Sequence, residues 1–522
     1  MKYKVLITTS GLGNRLGDIT KYLNKALVRV GEKPAISYII ESYPKGTNFI
    51  ITTGYLGYQI KDFIKITYPK LNVTYVEVNK YEGRGSSLGY SILQAKKTLQ
   101  CPFIYHACDT IVNEKIPTPN TNWCGGFKGN NTANYASFTT QAGQIKEIED
   151  KGSTNCDYLH IGLAGIYEYK KFWKTLNNLY IKDYKNKNLN DSLTVNSMIN
   201  NGSDFKVKEF NSWFDIGNID TLSKARLKIK DSFNNLDKID ESIYLFDDKV
   251  IKFYDNQNII KDKVVRGKIL KKLVPTIIAS KKNFFCYKYI KGKVYSEDIN
   301  PYNFKKFLNW SEKKLWIKIN KYSKKSFYSS CKSFYFDKTL NRLNSFLQQN
   351  KLNDQTDIIN GEKIPPIKDM LKLIDEKWLC DVEQYQFHGD YILDNIIQTE
   401  HSFLLIDWRQ NFGGLINAGD IYYDLAKLNH SLLINHKIVG QELFIIDRKD
   451  KNVKCDILQS SNLLKSQEIL WNYILQKKYD LNKVKILTAI IWINMSPLHH
   501  HPFNLFLYYF GKYNLYKSLQ EK

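Results

Sequence analysis

The sequence predicts a two-domain α/β protein. Its N-terminal domain begins with a buried parallel strand, and an α+β domain with a helical C-terminal tail follows. Three observations support this fold class. The chain has 522 residues, which exceeds what one hydrophobic core usually supports. A short apolar run at its start, Lys4–Thr9, is typical of a buried parallel strand and leads into a glycine-rich turn. Two further apolar runs, 396–397 and 403–406, predict a hairpin of buried strands in the C-terminal half.

A polar stretch at residues 229–240 marks the expected boundary between the two domains. It is rich in Asn, Asp and Ser, which are typical of a connector. The sequence therefore predicts a first domain over residues 1–228 and a second over residues 241–522. With 43% hydrophobic and 14% aromatic residues in the chain, each part has enough apolar side chains to form a core.

A glycine-rich turn follows the first strand. Gly11 and Gly13 would let backbone N–H groups approach a triphosphate, and the N-terminus of the following helix adds positive potential. Arg15 and Lys25 carry the charges needed to neutralise the phosphates as pyrophosphate leaves. A G-x-G pair alone also fits an ordinary strand–helix turn. G-x-G-x-R-L with a downstream lysine is a much stronger indication of nucleotide binding.

The first 230 residues resemble the sugar-nucleotide and phosphocholine nucleotidyltransferases, whose leader reads G-x-G-x-R-(L/M) and then P-K-x-L. Two departures stand out. Asn24 occupies the family's proline position, and Thr8–Ser10 replaces the usual small apolar lead-in. The resemblance implies a Rossmann-like nucleotidyltransferase domain with a mixed central sheet.

Further segments match the same family at the nucleotide and metal sites. Glu82–Ser87 resembles the glycine loop that cups the base. Phe103–Asp109 resembles the strand that ends in a metal-binding aspartate, and Trp213–Gly217 resembles the late W-x-D-I-G segment. The resemblance implies Mg²⁺ ligands at Asp109 and Asp215. The nucleotide-binding residues that it implies in the glycine loop are Gly83, Gly85 and Ser86.

A fourth segment bears on the acceptor. His160–Tyr167 resembles the acceptor-site strand of the family, which implies that Gly165 contacts the acceptor. Lys151 stands after an acidic run and is the candidate lysine for the acceptor phosphate. The latter assignment depends on position alone.

The chemistry of nucleotidyl transfer explains these residue types. An oxygen of an acceptor phosphate must attack the α-phosphorus of a nucleoside triphosphate, and both partners are anionic. Asp109 and Asp215 can hold Mg²⁺ between the two phosphates while Arg15 and Lys25 draw off charge. A strand-end cap at Asp109 or a turn residue at Asp215 would explain each aspartate alone, but not six matches in the same order.

The C-terminal half contains the order H-G-D-x-x-x-x-N, a short apolar run and then an aspartate. These residues are His388–Asp390, Asn395 and Asp407. Asp390 would orient an attacking hydroxyl and accept its proton. Asn395 and Asp407 would hold Mg²⁺ against the phosphates of a nucleotide, at neighbouring ends of the predicted hairpin. A chance turn explains any one of these pieces but not the whole set.

These residues resemble the aminoglycoside phosphotransferase and choline kinase family, whose members phosphorylate small alcohols. Gly419–Leu428 resembles the family's G-D-x-x-x-D-L-A segment, and Tyr287–Gly292 resembles its hinge. Val250–Tyr254 resembles the strand whose lysine, here Lys252, reaches the nucleotide phosphates. The resemblance spans about residues 241–430 and implies a two-lobed, protein-kinase-like fold that uses ATP.

Two features depart from that family. No glycine-rich loop precedes Lys252, since Ile243–Asp248 contains no glycine. The helix that offers a glutamate in the family reads Val264–Lys268, with glycine or lysine at the candidate positions. These departures favour a binding module, whereas the intact catalytic-loop residues Asp390 and Asn395 favour catalysis.

The net charge of +24 raises the question of a nucleic-acid partner. The chain has only eight arginines, and the excess of lysine is spread along the sequence, as on solvated faces. Nucleic-acid recognition usually depends on clustered arginine within a recognisable motif, so we expect no nucleic-acid partner. A basic surface does suit nucleotides, sugar phosphates and an anionic membrane face.

The eight cysteines form no C-x-x-C pair, and the chain opens directly into a strand. No apolar run approaches 18 residues. The sequence therefore predicts a cytoplasmic protein with reduced cysteines and no transmembrane segment.

Together these features predict a bifunctional enzyme. The second domain would phosphorylate a small alcohol with ATP, and the first would transfer a nucleotidyl group to that phosphate. CMP from CTP is favoured by analogy with the choline-phosphate branch, which gives a CDP-activated headgroup for capsule, lipopolysaccharide or lipid decoration. The acceptor (choline, ethanolamine, a polyol, a sugar or an amino acid amide) and the oligomeric state stay open.

Two alternatives remain at this stage. The first is a sugar-1-phosphate uridylyl- or guanylyltransferase with an attached sugar kinase. The second is a nucleotidyltransferase whose kinase-like domain binds a ligand without catalysing a reaction.

Overall fold

The chain divides into two units that do not follow the linear order of the sequence. The computed structural model describes residues 3–153, 156–229 and 238–521. The first unit comprises Met1–Gln257 and Ile278–Tyr287, and the second comprises Asn258–Ile277 and Lys288–Lys522. Most of the predicted connector at 229–240 lies outside the described residues. The predicted domain bounds stay a prediction.

Up to residue 254 the chain contains both strands and helices, and six strands follow one another between residues 103 and 166. The strands are β1 (Lys4–Thr8), β2 (Arg29–Val30), β3 (Lys33–Pro34), β4 (Asn48–Thr53), β5 (Asn72–Glu77), β6 (Phe103–Ala107), β7 (Thr110–Val112), β8 (Trp123–Phe127), β9 (Ser137–Gln141), β10 (Gln144–Glu149), β11 (Tyr158–Ile166), β12 (Lys206–Glu209), β13 (Trp213–Asp215), β14 (Glu241–Leu245) and β15 (Lys249–Tyr254). The helices are α1 (Ala35–Glu41), α2 (Gly57–Thr67), α3 (Leu88–Gln94), α4 (Tyr169–Lys182), α5 (Asp191–Asn200) and α6 (Ile219–Lys228).

Helices dominate the rest of the chain. They are α7 (Gln257–Leu270), α8 (Pro301–Lys314), α9 (Lys324–Lys332), α10 (Lys338–Asn350), α11 (Ile367–Lys372), α12 (Glu376–Cys380), α13 (Ile421–Leu433), α14 (His436–Gly440), α15 (Ser461–Gln476), α16 (Leu481–Met495) and α17 (Phe503–Gln520). The strands are β16 (Ile277–Ser280), β17 (Phe284–Lys288), β18 (Lys293–Val294), β19 (Asp357–Ile359), β20 (Glu362–Ile364), β21 (Ile396–Gln398), β22 (Phe403–Leu405), β23 (Phe444–Lys449) and β24 (Asn452–Ile457).

A nine-stranded mixed sheet forms the centre of the first unit, as predicted. Its order is β5-β4-β1-β6-β11-β8-β12-β10-β9, in which β1 runs parallel to β4 and β6 while β11 runs antiparallel to β6. The apolar side chains of Val5, Leu6 and Ile7 are fully buried between the helices on the two faces. Parallel strands covered on both faces explain why this run is apolar without alternation.

The first unit contains a second sheet, which the sequence had placed in the second domain. It has the order β14-β15-β17-β16, and its aromatic side chains extend the core of the larger sheet. The ring of Phe63 lies 5.5 Å from that of Tyr244 and 6.0 Å from that of Phe284. The Tyr244 hydroxyl also donates to the carbonyl oxygen of Leu27 at 2.6 Å. These strands therefore share one hydrophobic core with the central sheet.

The second unit is mainly helical. Helix α13 is its central helix, with Leu425 and Leu428 fully buried. Helices α15, α16 and α17 form the predicted helical C-terminal tail. A separate four-stranded sheet has the order β20-β19-β24-β23. Within the described ranges, no helix is both long and apolar enough to cross a membrane.

Candidate active sites

The glycine-rich turn after β1 is fixed by close packing. Gly13 has a φ of 77°, and a Cβ there would lie 3.0 Å from both Lys25 Cβ and Thr20 Cγ2, so glycine is the residue that fits without strain. At Gly11 a Cβ would meet no atom within 4 Å. The turn therefore combines a fixed backbone with open space for a phosphate group.

Asn24, at the family's proline position, braces the turn that carries Lys25. Its side chain is fully buried and donates through Nδ2 to the carbonyl oxygens of Thr9 (3.0 Å) and Tyr55 (2.7 Å). Its Oδ1 accepts from the backbone N–H of Ala26 at 3.0 Å and caps a short 3-10 turn. A proline side chain could make none of these hydrogen bonds.

We expect Asn24→Ala to lower the free energy of unfolding by about 1–3 kcal/mol, because it leaves buried carbonyl groups unpaired. Urea denaturation measures the change. Asn130→Ala, at an exposed position, is the matched control and should leave the midpoint unchanged. Equal midpoints for the two variants would contradict the bracing role of Asn24.

Two carboxylates meet at the carboxyl end of β6. Asp109 follows this strand, and Asp215 ends β13, where it lies opposite Thr110 of β7. The backbone N–H of Ile216 donates to the Asp109 carbonyl oxygen at 3.0 Å, and the Tyr135 hydroxyl donates to Asp215 Oδ2 at 2.7 Å. Strand pairing thus brings together the two aspartates that the sequence predicted as metal ligands.

Gly217 lies where these carboxylates meet Arg15. A Cβ on Gly217 would lie 3.0 Å from Arg15 Nη2, 3.1 Å from Asp215 Oδ1 and 3.4 Å from Asp109 Oδ2. A cavity of about 270 Å³ opens at this point and is lined also by Lys25. The missing side chain at Gly217 therefore keeps the acidic and basic groups close to one another.

Both cations at this cavity face the same carboxylate, Asp109. Arg15 Nη2 and Lys25 Nζ lie 3.8 Å and 4.0 Å from Asp109 Oδ2. Burial lowers the pKa of Lys25, but the Cys108 thiol and the Asp109 carboxylate raise it by more, so the ammonium group stays charged. Burial and the nearby charge of Asp109 raise the pKa of Asp215. A cation between the two carboxylates would relieve this repulsion.

We expect Gly217→Ala to slow pyrophosphate release by roughly 10- to 100-fold, because the new methyl group displaces Arg15 and Asp215 from their positions. A coupled pyrophosphate assay measures the rate. In Gly440→Ala the added Cβ meets no atom within 4 Å, so this control should keep the wild-type rate. A wild-type rate in Gly217→Ala would show that the close approach at Gly217 is not needed.

The carboxylate pair fits Mg²⁺. Oxygen ligands are those that Mg²⁺ prefers, and it usually keeps one or two carboxylates together with waters and substrate phosphates. Among residues 3–153, 156–229 and 238–521, no three His, Cys, Asp or Glu side chains are arranged to hold a metal by themselves. An ion held by Asp109 and Asp215 would therefore take its other ligands from phosphate and water.

The glycine loop predicted to cup the base borders a second cavity, of about 510 Å³. Gly83 and Ser86 line this cavity together with Gly13 of the leader turn. Gly83 and Gly85 have φ values of 78° and 85°, which favour glycine. Lys187 also lines the cavity, although no sequence motif pointed to it. The structure thus brings the loop and the leader turn together.

Of the two predicted acceptor residues, Gly165 is not brought to the carboxylates. Gly165 of β11 lies opposite Ile104, towards the start of β6 and away from Asp109. A Cβ on Gly165 would collide with the indole of Trp123, so this position is covered. Lys151 is an exposed turn residue after β10 and forms no ion pair with any described residue. Their acceptor-binding roles stay predictions.

In the second unit, the predicted hairpin is confirmed. Strand β21 pairs with β22 so that Ile396 lies opposite Leu405, and the backbone N–H of Ile406 donates to the carbonyl oxygen of Asn395 at 2.8 Å. Asn395 and Asp407 therefore lie at neighbouring strand ends, as the sequence predicts.

Asp390 is held by two side chains. Lys427 Nζ lies 2.8 Å from Asp390 Oδ1, and Asn395 Nδ2 donates to Asp390 Oδ2 at 3.1 Å. Burial raises the pKa of Asp390, but the ion pair with Lys427 lowers it by more, to about 2. A carboxylate this acidic is a weak base. Asp390 is therefore better suited to orient a hydroxyl group than to remove the proton of that hydroxyl.

A lysine also faces Asp407, whose φ is 59°. Lys263 Nζ lies 3.5 Å from Asp407 Oδ1 and donates to the carbonyl oxygen of Trp408 at 2.7 Å. Lys263 belongs to α7, the helix in which the sequence lacks the family's glutamate. A divalent cation at Asn395 and Asp407 would share the Asp407 carboxylate with this lysine.

His388 and Asp424 shape the turn that presents Asp390. The Asp424 carboxylate accepts from the backbone N–H groups of His388 (2.8 Å) and Gly389 (2.7 Å), and Gly389 has a φ of 85°. Burial raises the pKa of Asp424 to about 6 even though these hydrogen bonds lower it. His388 Nε2 contacts the carbonyl oxygen of Ile406 at 3.0 Å. Both side chains therefore stabilise the backbone of the turn through hydrogen bonds.

The remaining predicted residue, Lys252, lies on β15 of the first unit and is buried. Its contact with nucleotide phosphates stays a prediction. Sequence motifs did not point to Lys263 or Lys427. A signal was present for Lys427, which lies one helical turn after Asp424 in the segment that resembles the family.

Comparison with known proteins adds a sequence match in the N-terminal part of the chain. Choline-phosphate cytidylyltransferase of Streptococcus pneumoniae is 36% identical over 109 residues, which cover 20% of this chain and 44% of that relative. The match thus spans less than half of the relative's length. No protein-family model matches the chain.

Solved structures of nucleotidyltransferases are similar over the same part of the chain. CTP:phosphocholine cytidylyltransferase from Streptococcus pneumoniae has 21% identity and a TM-score of 0.38, and it covers 44% of this chain and 100% of its own. UDP-glucose pyrophosphorylase from Acinetobacter baumanii has 16% identity and a TM-score of 0.36, with 44% and 93% covered. Each of these similarities covers less than half of this chain.

Proposed function

We propose that the protein is a bifunctional transferase that makes a CDP-activated headgroup for capsule, lipopolysaccharide or lipid decoration. The second unit phosphorylates a small alcohol with ATP. The first unit then transfers CMP from CTP to the resulting phosphate and releases pyrophosphate. The sequence match to a choline-phosphate cytidylyltransferase supports the choice of CTP.

One observation carries the nucleotidyl transfer. Asp109 and Asp215 converge at Gly217, with Arg15 and Lys25 within 4.0 Å of Asp109 Oδ2. Two carboxylates and two cations gathered beside an open cavity suit a reaction between two phosphate groups.

The reaction in the first unit follows from these charges. An oxygen of the acceptor phosphate attacks the α-phosphorus of CTP, and a new P–O bond forms as the bond to the β-phosphate oxygen breaks. The electron pair leaves with pyrophosphate. Arg15 and Lys25 stabilise the negative charge that builds up on the phosphates. When bound, Mg²⁺ neutralises phosphate charge and aligns the two reactants.

The reaction in the second unit would use Asp390 to orient the hydroxyl. The hydroxyl oxygen attacks the γ-phosphorus of ATP, the bond to the β–γ bridging oxygen breaks, and ADP leaves. The hydroxyl proton passes to solvent, since Asp390 with a pKa of about 2 does not retain it. Asn395 and Asp407 offer oxygen ligands for Mg²⁺, which supplies phosphate neutralisation when bound.

A non-catalytic binding role for the second unit is a second candidate. The observation that favours it is that both carboxylates already have lysine partners. Lys427 lies 2.8 Å from Asp390, and Lys263 lies 3.5 Å from Asp407. Such pairs lower the negative charge available to a divalent cation.

Base choice tests the proposed function. With a panel of phosphorylated alcohols, CTP should support pyrophosphate release at least about tenfold faster than UTP, GTP or ATP. A pocket built for cytosine leaves its own polar groups unpaired when another base enters, at about 1–3 kcal/mol each.

Hexose 1-phosphates serve as the comparison acceptors in the same assay. A clear preference for UTP or GTP with a hexose 1-phosphate would replace the CDP-headgroup proposal with a sugar-nucleotide one. The nucleotidyl transfer itself would stand in that case.

A further inference from the structure

Several cations gather on the side of the second unit that carries Asp390. Lys427 of α13 pairs with Asp390 at 2.8 Å. Arg409 Cζ lies 4.8 Å from the centre of the Phe334 ring, and Lys338 Nζ lies 4.0 Å from the same centre. Both cations therefore stack on one aromatic side chain. Burial and the charges of Arg409 and Lys427 lower the pKa of Lys338, and the charge of Asp390 raises it. These groups therefore lie close enough to form one site.

A distortion of the helix backbone presents two of these cations. Helix α9 continues into α10 through a π-helical turn at Ser333–Asp337, which carries Phe334. Lys338 begins α10, and Arg342 follows one turn later on the same face. Single π-turns inside α-helices occur frequently at functional sites. Lys338, Arg342, Arg409 and Lys427 together form what we term the cationic cluster.

The cationic cluster lacks matching negative charge. Within the described residues, Lys427 is the one member with an ion-pair partner, and no carboxylate lies within 4.0 Å of the side-chain nitrogens of the other three. Burial, followed by the charges of Arg409, Arg342 and Lys427, lowers the pKa of Lys338 to about 6. The neighbouring cations thus oppose a charge on Lys338, and a bound anion would relieve this repulsion and favour the protonated amine.

The general excess of lysine does not explain the cluster. Two of its members are arginines, of which the whole chain has only eight. Lys427 is buried, and the other three are half-buried, unlike cations on a solvated face. Arginine pairs with phosphate and carboxylate through two parallel hydrogen bonds. A quaternary ammonium or protonated amine would instead be repelled at this site.

We infer that the second unit binds a small hydroxyl compound with a phosphate or carboxylate group, which places its hydroxyl at Asp390 and its anionic group on the cationic cluster. Choline and ethanolamine are thereby disfavoured as acceptors. The inference rests on the proposed function for the fate of the hydroxyl, but not for binding. Binding is measured without ATP, so a failure here is distinguishable from a failure of the proposed phosphotransfer.

Calorimetric titration of the full chain, without nucleotide, tests this inference. The probes are glycerol 3-phosphate, D-glycerate, glycerol and choline, which separate phosphate, carboxylate, neutral and cationic compounds. At least one anionic probe should bind about tenfold or more tightly than glycerol and choline. Arg342→Gln should weaken that binding by about 10- to 100-fold, as expected for a lost charge-assisted hydrogen bond.

Two variants separate the cluster from other cations. Lys325→Gln removes an exposed lysine of α9 and should leave anion binding unchanged. Arg15→Gln alters the phosphate site of the first unit and should also leave binding at the cluster unchanged. An unchanged rate of CTP-dependent pyrophosphate release would show that Arg342→Gln is folded.

Three results would overturn the inference. Choline could bind as tightly as the anionic probes. Arg15→Gln, rather than Arg342→Gln, could abolish anion binding, which would assign the anion to the first unit. The third such result is a titration in which none of the four probes binds.

Discussion

Asp109→Asn and Asp215→Asn should each slow pyrophosphate release by about 10²- to 10³-fold or more. Each change keeps the size of the side chain but removes a charge, at a site where fixed charges stabilise the transition state. The backbone contacts of the pair, such as the hydrogen bond from Ile216 N–H to the Asp109 carbonyl oxygen, would remain. Chelation of Mg²⁺ should produce a similar loss in the wild-type protein.

The matched control is Asp220→Asn. Asp220 is an exposed residue in the first turn of α6, a few positions after Asp215, and it lines neither cavity of the site. Its variant should keep the wild-type rate. Full activity in Asp109→Asn or Asp215→Asn, or in the presence of EDTA, would show that the carboxylate pair is not the reactive site.

Asp390→Asn should slow ATP-dependent phosphorylation of the alcohol by about 10²- to 10⁴-fold, because the variant loses the charged group that orients the hydroxyl. The same variant should still release pyrophosphate from CTP when a phosphorylated acceptor is supplied. ADP formation and pyrophosphate release, measured on one preparation, separate the two reactions.

Asp381→Asn, at an exposed position in the same unit, is the control for this charge change. It should keep both rates. If pyrophosphate release fell as far as ADP formation in a folded Asp390→Asn protein, the two sites would not be independent. Unchanged ADP formation would remove Asp390 from the proposed reaction.

The sequence predicted the parts of the sites that rest on local patterns. The apolar run Val5–Ile7 and the glycine-rich turn predicted β1 and the leader, because a buried strand and a tight turn leave strong compositional signals. Asp109 and Asp215 were predicted because Phe103–Asp109 and Trp213–Gly217 resemble two local segments of the nucleotidyltransferases. The hairpin of β21 and β22 likewise followed from two apolar runs.

Contacts between distant segments could not be predicted. Tyr135 reaches Asp215 only because β13 pairs with β7, and Asn24 is a brace only because Thr9 and Tyr55 lie beside it in the fold. No local pattern encodes such contacts. The same reason explains why the cationic partner of Asp407, Lys263, was not predicted as a site residue.

The extent of the first unit also depends on packing between distant segments. The polar stretch at 229–240 indicated a boundary, yet strands β14 and β15 pack on the core of the first unit through Tyr244 and Phe253. Residues Ile278–Tyr287 return to the same unit. Composition along the chain shows where a connector is polar, but not which core the next strands join.

The central claim is that the two units act in sequence on one acceptor, and an isotope transfer tests it most directly. The full chain is incubated with Mg²⁺, CTP, ATP labelled with ¹⁸O in its γ-phosphoryl group, and a panel of unphosphorylated alcohols that includes hydroxy acids. Mass spectrometry then follows the products. The account predicts a CDP-alcohol that carries the label in the phosphate next to the alcohol. An unlabelled CDP-alcohol, or labelled phospho-alcohol that is never converted to a nucleotide product, would contradict it.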